Sequence, residues 1–357
     1  MFKVDKKILV LFACCFPIKG FCRSIIYDIQ RNVYFFIPNS LLIVLNDYRN
    51  KTIGEIKQHF SIEEQKILEH YITFLLENEV AFLCDKSDIT LFPAMMKRWI
   101  SPFDIENFVL DIDKDSKHDY TKIINELSVL ETRVIHIRFF SNVTYSKLNL
   151  LLKLVNNSNI RSSEFILPFC KDIKWDNWVS TIKMFRKIKC LTFFGSLQNS
   201  ILKIDQCTVI FTSKRISSER DCGIISKDIF SCNKELFMEA QNFNTCLNRK
   251  ISIDKRGNIK NCPSMQRSFG QFGKKSLQEI LQSKHFQSFW KLKKDDIHVC
   301  RDCEFRYMCS DCRAFIKDFS DIYSKPAKCY YNPYVAKWEG EAGYIAVEDS
   351  MQIRAFK

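Results

Sequence analysis

Residues 300–312 read CRDCEFRYMCSDC, in which two C-x2-C pairs are separated by five residues. A C-x2-C pair places two thiolates on one tight turn, where both can bind the same metal centre. In a chain of 357 residues, such close spacing favours metal binding over a disulfide framework. This loop therefore predicts a metal-binding domain near the carboxyl end of the chain.

The cysteine pattern extends to both sides of this loop. Cys246 is followed after ten residues by Gly257 and after four more by Cys262, while Cys329 lies downstream of the loop. With the loop, these make seven of the sixteen cysteines in the chain. The segment between Cys246 and Cys262 predicts a β-hairpin with Gly257 in its turn, which brings the two thiols together.

The spacing favours an iron–sulfur centre over two alternatives. Each [4Fe–4S] cluster binds four thiolates, so seven cysteines indicate one or two clusters, with one ligand from elsewhere or one open position. Zinc is the first alternative, because four cysteines also form a closed tetrahedral site, although zinc-ribbon pairs are usually separated by about 15 or more residues. The second alternative is that these thiols are reduced and bind no metal.

Three segments resemble a known domain: NTCLNRKISID at 244–254, IKNCPSM at 259–265 and CRDCEFRYMC at 300–309. They look like the SPASM domain, which carries auxiliary [4Fe–4S] clusters in radical-SAM peptide maturases. The whole chain, including LFACC at 11–15, resembles the SPASM-domain peptide maturases of bacterial grasp-with-spasm systems. Those proteins accompany an ATP-grasp ligase and a short precursor peptide.

The resemblance implies two groups of cluster ligands. They are Cys300, Cys303, Cys309 and Cys329 for one cluster, and Cys246, Cys262 and Cys312 for the other. A complete SPASM domain has a fourth ligand for the second cluster a few residues before the position of Cys246, but residues 239–245 contain no cysteine. Cys232 or Cys222 can replace it; otherwise this cluster has an open site or does not form. The two residues between Cys309 and Cys312 also depart from the three that SPASM domains usually have.

The motif on which radical-SAM chemistry depends is absent from the sequence. That chemistry needs cysteines spaced C-x3-C-x2-C, and the early group of Cys14, Cys15 and Cys22 does not match this spacing. The six histidines show no HExxH motif, and no phosphate-binding loop or nucleophile elbow occurs. The sequence disfavours radical-SAM catalysis and leaves open whether the chain is an enzyme.

The chain as a whole predicts an α/β fold, α+β overall, in four parts. Residues 1–90 show three strands, then helices and a returning strand, which is the outline of a winged-helix module. Residues 91–221 combine a connector with alternating strands and helices, typical of a degenerate βα half-barrel with a parallel sheet. Residues 222–335 form the SPASM-type cysteine domain, and residues 336–357 form a polar tail.

Hydrophobic patterns and capping boxes predict individual elements. Ser61 and Ser276 each begin an S-x-x-E capping box, which predicts helices ending near Glu77 and Leu292. The other predicted helices are 145–155 and 175–187. The predicted strands are 8–13, 23–28, 32–36, 80–83, 134–140, 165–169, 191–194 and 209–212.

The first module suggests how a partner peptide is bound. Peptide-modifying systems often bind the leader of their substrate on a winged-helix domain, where the leader adds a strand to a sheet edge. Residues 1–90 fit this outline, and strand 33–36 would be the receiving edge. The alternative is a winged helix with a purely structural role.

Charge and hydropathy limit the other partners. A net charge of +13 favours acidic partners, but no run of five basic residues and no nucleic-acid-binding motif occurs, so nucleic acid is disfavoured. No apolar stretch reaches the length of a membrane span, and the apolar run at 8–13 is short for a signal peptide. We therefore expect a cytoplasmic protein with no membrane partner.

The leading hypothesis is a component of a ribosomal-peptide maturation system. It would bind a precursor peptide, carry auxiliary [4Fe–4S] clusters and act with an ATP-grasp ligase. Two alternatives remain: a zinc-stapled scaffold or adaptor without catalytic activity, and a redox enzyme that modifies peptides with its own clusters.

Overall fold

The computed structural model describes residues 4–170 and 175–350 of the chain. It has the mixed α/β architecture that the sequence predicts, with a large, mainly parallel sheet and smaller sheets beside it. Residues 351–357 of the predicted tail lie outside the described part.

Residues 4–85 contain two small sheets and three helices. Their elements are β1 (Ile8–Leu11), β2 (Cys15–Ile18), β3 (Ser24–Asp28), β4 (Val33–Ile37), α1 (Asn39–Asp47), α2 (Ile53–Lys57), α3 (Ile62–Glu77) and β5 (Ala81–Cys84). Strands β2, β3 and β4 form an antiparallel sheet with β3 in the centre, and β1 pairs with β5.

The predicted capping box of α3 is confirmed. The Ser61 hydroxyl accepts a hydrogen bond from the Glu64 backbone N–H at 3.3 Å, and the Glu64 carboxylate accepts one from the Ser61 backbone N–H at 2.8 Å. These bonds satisfy donors that a helix leaves free at its first turn. The helix therefore begins at Ile62 and ends at Glu77, as the sequence predicts.

The strand pairing of this region differs from the expected outline. The sequence predicts three strands before the helices, whereas the structure has four, because Cys15–Ile18 is a strand of its own. As a result the three-stranded sheet does not include β1, which pairs instead with the returning strand β5. Proline at position 17 hides β2 in the sequence, since proline disfavours strands except at their edges.

The central part of the chain alternates strands and helices around one sheet. Its elements are β6 (Asn107–Ile112), α4 (Tyr120–Val129), β7 (Val134–Phe139), α5 (Tyr145–Asn156), β8 (Ser162–Pro168), α6 (Trp175–Met184), β9 (Ile188–Phe194), β10 (Ser200–Ile204) and β11 (Cys207–Thr212). The parallel βα pattern that the sequence predicts over 134–212 is confirmed, and β10 is an additional strand, antiparallel to β11.

Strand β6 is central to the sheet although its sequence suggested only a connector. It pairs in parallel with β7, and five of its six residues are buried. One of the buried residues is Asp111, whose carboxylate accepts a hydrogen bond from Nε of Arg138 on β7 at 2.7 Å. This buried charge interrupts the apolar run by which a central strand is normally recognised.

The cysteine region continues the same sheet. Its elements are α7 (Lys234–Ala240), β12 (Lys250–Ile253), β13 (Asn258–Lys260), β14 (Gly270–Gln271), α8 (Leu277–Leu281), α9 (Lys284–Gln287), β15 (Tyr331–Asn332) and β16 (Lys337–Trp338). The sheet has nine strands in the order β10-β11-β9-β8-β7-β6-β12-β13-β14, with β12 parallel to β6.

The predicted helix from Ser276 to Leu292 is only partly correct. Its capping box is present, with the Ser276 hydroxyl accepting from the Glu279 backbone N–H at 3.2 Å. However, α8 ends at Leu281, and α9 and a short 3-10 turn follow. The Gln287 side chain donates to the Leu281 carbonyl at 2.7 Å, which satisfies an acceptor left free where α8 ends.

Two hydrophobic cores hold the parts together. The large core lies between the nine-stranded sheet and its helices and includes Ile251 and Ile259 of the cysteine region. A second core joins the β2–β4 sheet to the cysteine region and includes Tyr27, Phe237 and Phe305. The cysteine region thus packs against both other parts of the chain.

Candidate metal centre

The seven cysteines singled out from the sequence form two separate groups in the structure. The first cysteine group is Cys300, Cys303, Cys309 and Cys329. The second cysteine group is Cys246, Cys262 and Cys312. Within each group the thiols are close enough to perturb one another electrostatically. The resemblance implies the same two sets as cluster ligands, and that either set binds a cluster stays a prediction.

A tight turn holds the first C-x2-C pair. Residues Cys300–Asp302 form a 3-10 turn, and the Cys303 backbone N–H donates to the Cys300 carbonyl at 3.0 Å. Val299 immediately before the turn has φ of +68°, a conformation that is strained for a β-branched residue. Strain of this kind persists only where the surroundings fix it.

A buried lysine lies among the thiols of the first group. Lys294 is 4% exposed, and its ammonium donates to Sγ of Cys300 at 3.8 Å and pairs with the Asp311 carboxylate at 3.3 Å. Arg313 also pairs with Asp311, at 2.7 Å. The three side chains together carry one net positive charge beside the thiols, which suits a site that holds thiolates.

The second group lies at the base of the hairpin that the sequence predicts. Strands β12 and β13 pair with Ile253 opposite Ile259, and Gly257 in the turn has φ of +85°, a conformation that favours glycine. Cys246 precedes β12 and Cys262 follows β13, so the hairpin brings the two cysteines together.

A second lysine accompanies this group. The Lys250 ammonium donates to Sγ of Cys246 at 3.7 Å. Burial lowers the pKa of Lys250, but the thiols of Cys246 and Cys262 raise it, and the net shift is upward. Each cysteine group therefore has one ammonium within reach of a sulfur, a feature that no sequence pattern indicates.

Burial acts against free thiolates in both groups. It raises the pKa of Cys309 to about 12, with Lys294 opposing the rise and Cys329 and Cys300 adding to it. It likewise raises the pKa of Cys312 to about 12, with a further contribution from Cys246. Without a metal these thiols are neutral at physiological pH, so metal binding here must displace protons. The donor sets, four thiols in the first group and three in the second, are of the kind that both iron–sulfur clusters and zinc bind.

Buried polar contacts fix the β2–β4 sheet to the first group. Glu304, fully buried next to Cys303, accepts hydrogen bonds from Nε of Arg23 at 2.8 Å and from the Tyr331 hydroxyl at 2.5 Å. The Tyr27 hydroxyl donates to the Glu304 carbonyl at 2.7 Å. The first part of the chain therefore holds a fixed position beside this cysteine loop.

Another thiol pair, Cys14 and Cys15, lies next to the Asp28 carboxylate. That carboxylate is already engaged, because it accepts from the backbone N–H groups of Gln30 and Arg31 and from the Arg31 guanidinium. These bonds explain Asp28 as a turn residue, so the group is a poor metal site.

The cysteine region matches a known family. Residues 245–304 fit the SPASM family model, described as an iron–sulfur cluster-binding domain. The match begins at the residue before Cys246 and ends at Glu304, so it covers the hairpin and the first C-x2-C pair. It stops before Cys309, Cys312 and Cys329. No curated protein matches the chain.

Two solved structures of SuiB from Streptococcus suis are similar in outline. The complex with S-adenosylmethionine is 12% identical with a TM-score of 0.37, and the complex with the precursor peptide SuiA is 10% identical with a TM-score of 0.40. Each alignment covers 90% of this chain and 100% of the SuiB chain. Similarity at this level carries no conclusion about fold or function.

In residues 4–170 and 175–350, no helix combines the length and the apolar character that crossing a membrane requires.

Proposed function

We propose that this chain carries two [4Fe–4S] clusters and takes part, in the cytoplasm, in the maturation of a ribosomally made peptide. The observation that carries the proposal is the SPASM match over residues 245–304 together with the two cysteine groups. The first group would hold one cluster and the second group the other. Zinc suits the same donors, so the proposal of iron rests on the family match.

The β2–β4 sheet offers a place for the peptide. Neither β2 nor β4 has a strand partner on its outer side among the described residues. Proline at position 17 and burial make the β2 edge a poor acceptor, whereas Val33 and Phe36 on β4 are 39% and 42% exposed. We therefore propose residues 1–90 as a winged-helix-like leader-binding module with β4 as its receiving edge.

The receiving edge also lies close to the first cysteine group. The rings of Phe36 and Phe305 are 5.8 Å apart, and Phe305 is two residues from Cys303. A leader paired with β4 would thus extend along the cluster-binding loop. This placement supports a chain that holds the peptide near its clusters while a partner, an ATP-grasp ligase, forms the new bonds.

Peptide binding is tested with a fluorescently labelled synthetic precursor peptide and fluorescence anisotropy. Val33→Asp should weaken binding several-fold, since a leader paired with β4 would cover the exposed part of this valine side chain, a contribution of roughly 1 kcal/mol. Ile201→Asp is the control, because Ile201 is 71% exposed on β10, one of the two outer strands of the large sheet. Equal affinity of Val33→Asp and the unmodified chain, or a loss with Ile201→Asp instead, would refute the β4 site.

The role in maturation is tested by the mass of the product. The precursor, the ATP-grasp ligase and ATP are combined with and without the holoprotein. Loss of one water for each bond, only when this chain is present, is the expected result for an accessory that presents the peptide. Loss of two hydrogens without the ligase would instead identify a redox enzyme, and an unchanged yield without this chain would contradict both roles.

A further inference from the structure

We propose that Cys222 is the fourth thiolate ligand of the second cysteine group, in place of the cysteine that residues 239–245 lack. The inference rests on the proposed function only in assuming that this group holds a metal. Cys222 lies outside the matched family segment, so the assignment comes from the structure of this chain.

The backbone beside Cys222 lies directly against the second group. Gly223 has φ of +85°, and a Cβ atom at this position would lie 2.9 Å from Sγ of Cys312 and 2.8 Å from the Phe315 ring. No side chain fits at that distance, so only glycine allows the chain to approach the Cys312 sulfur so closely.

The Cys222 side chain points toward the turn that carries another member of the group. Its Sγ lies 3.4 Å from Oγ of Ser264, two residues after Cys262, and donates to the Glu219 carbonyl at 3.0 Å. Burial raises the pKa of Cys262, Lys250 opposes the rise, and both Cys246 and Cys222 add to it. Cys222 thus belongs to the same electrostatic environment as the recognised thiols.

The segment around Cys222 is held in place from the other side. The Lys328 ammonium donates to the Cys222 carbonyl at 2.7 Å, and the Ile225 backbone N–H donates to the Lys328 carbonyl at 3.1 Å. Ile225 also forms a bridge with Cys329 of the first group. A segment fixed in this way presents its thiol at little entropic cost, as a ligand requires.

Cys232, the other candidate from the sequence, has a different environment. Its Sγ donates to the Val33 carbonyl at 3.1 Å and it packs in the core beneath the β2–β4 sheet. Burial and the nearby Asp28 carboxylate raise its pKa to about 12. These contacts make Cys232 a core residue.

The test compares alanine variants of the holoprotein purified without oxygen. Cys222→Ala should behave like Cys246→Ala. Either the second cluster is lost and iron falls from about eight to about four per chain, or the cluster stays but loses one iron on mild oxidation. The second outcome would give the EPR signal of a three-iron cluster. Cys232→Ala is the control and should keep the iron content and the EPR spectrum of the unmodified protein.

Cys222→Ala with the iron content and oxidation behaviour of the unmodified protein would overturn the assignment. If the alanine variant does not fold, Cys222→Ser decides: altered Mössbauer parameters for one iron support ligation, and an unchanged spectrum refutes it. Zinc instead of iron in the unmodified protein would contradict the proposed function alone. The ligand assignment would still predict that Cys222→Ala lowers zinc from about two to about one per chain.

Discussion

Lys294 lies where its charge would alter the redox potential of a cluster bound by the first cysteine group. Its ammonium lies 3.8 Å from Sγ of Cys300 and is almost completely buried, so its charge is poorly screened. A cation in this position stabilises the reduced, more negative form of a cluster. The neighbouring Asp311 weakens the effect, but Arg313 compensates for Asp311.

If the first cysteine group holds the proposed cluster, replacing Lys294 with methionine should make the midpoint potential of that cluster more negative. A shift of roughly 60 mV corresponds to about 1.4 kcal/mol for one electron, which is a modest contribution for a buried charge. An EPR-monitored redox titration measures it, with the exposed Lys291→Met as control. An unchanged potential in Lys294→Met would show that this charge does not act on a cluster.

Cys303→Ser should release the metal of the first group, because four thiolates share that site. Iron should fall from about eight to about four per chain, measured by iron and sulfide analysis. Cys22→Ser is the matched control, since Cys22 is exposed and belongs to neither cysteine group. Loss of iron from Cys22→Ser would mean that the ligands are wrongly assigned.

Sequence reasoning found the cysteines but not the residues around them. Paired thiols at C-x2-C spacing in a large domain are typical of metal sites, so the seven positions could be predicted from their spacing. Their division into two groups came only from the resemblance to SPASM domains, because spacing alone would place Cys309 and Cys312 in the same group. Lys250 and Lys294 could not, because their closeness to sulfur depends on tertiary packing, and the surface of this basic chain carries many other lysines. The sequence could not decide between Cys222 and Cys232 as the fourth ligand, because that choice depends on the surroundings of each thiol in the fold.

At the scale of elements, the contact between the β2–β4 sheet and the cysteine loop rests on a few buried polar groups. Arg23→Gln removes the cation from the buried Glu304 carboxylate, whose one remaining side-chain partner in the described part of the chain is the Tyr331 hydroxyl. The free energy of opening this sheet should fall by roughly 2–3 kcal/mol. Faster hydrogen exchange in β2–β4 is the measurement.

The control for this variant is an exposed ion pair in the same part of the chain. Lys86 and Glu55 lie 3.4 Å apart with side chains 64% and 46% exposed. Lys86→Gln should change the free energy of opening by about 0.5 kcal/mol or less. Equal effects of the two substitutions would show that Glu304 does not fasten the sheet.

Elements with strong local signals were predictable, and elements defined by tertiary pairing were not. The capping box placed α3 correctly because its hydrogen bonds are local. Strand β6 was missed because the buried ion pair of Asp111 and Arg138 replaces the apolar residues expected in a central strand. The helix after Ser276 was drawn too long because the break at its end depends on side-chain contacts with the backbone.

At the scale of the whole molecule, the cysteine region is the structural centre. It continues the nine-stranded sheet through β12 and shares a second core with the β2–β4 sheet. Metal binding should therefore influence the stability of the entire chain. The domain boundaries at 90, 221 and 335 remain predictions, and residues 336–350 pack on the cysteine region, with Val347 buried.

The most direct test is the content of metal and acid-labile sulfide in protein purified without oxygen, together with its visible spectrum. Two [4Fe–4S] clusters predict about eight iron and eight sulfide per chain, with the broad absorption of iron–sulfur clusters. About four of each would mean that only the first group holds a cluster, and it would contradict the cluster proposed for the second group. Zinc without sulfide would contradict the iron–sulfur function and leave a structural scaffold.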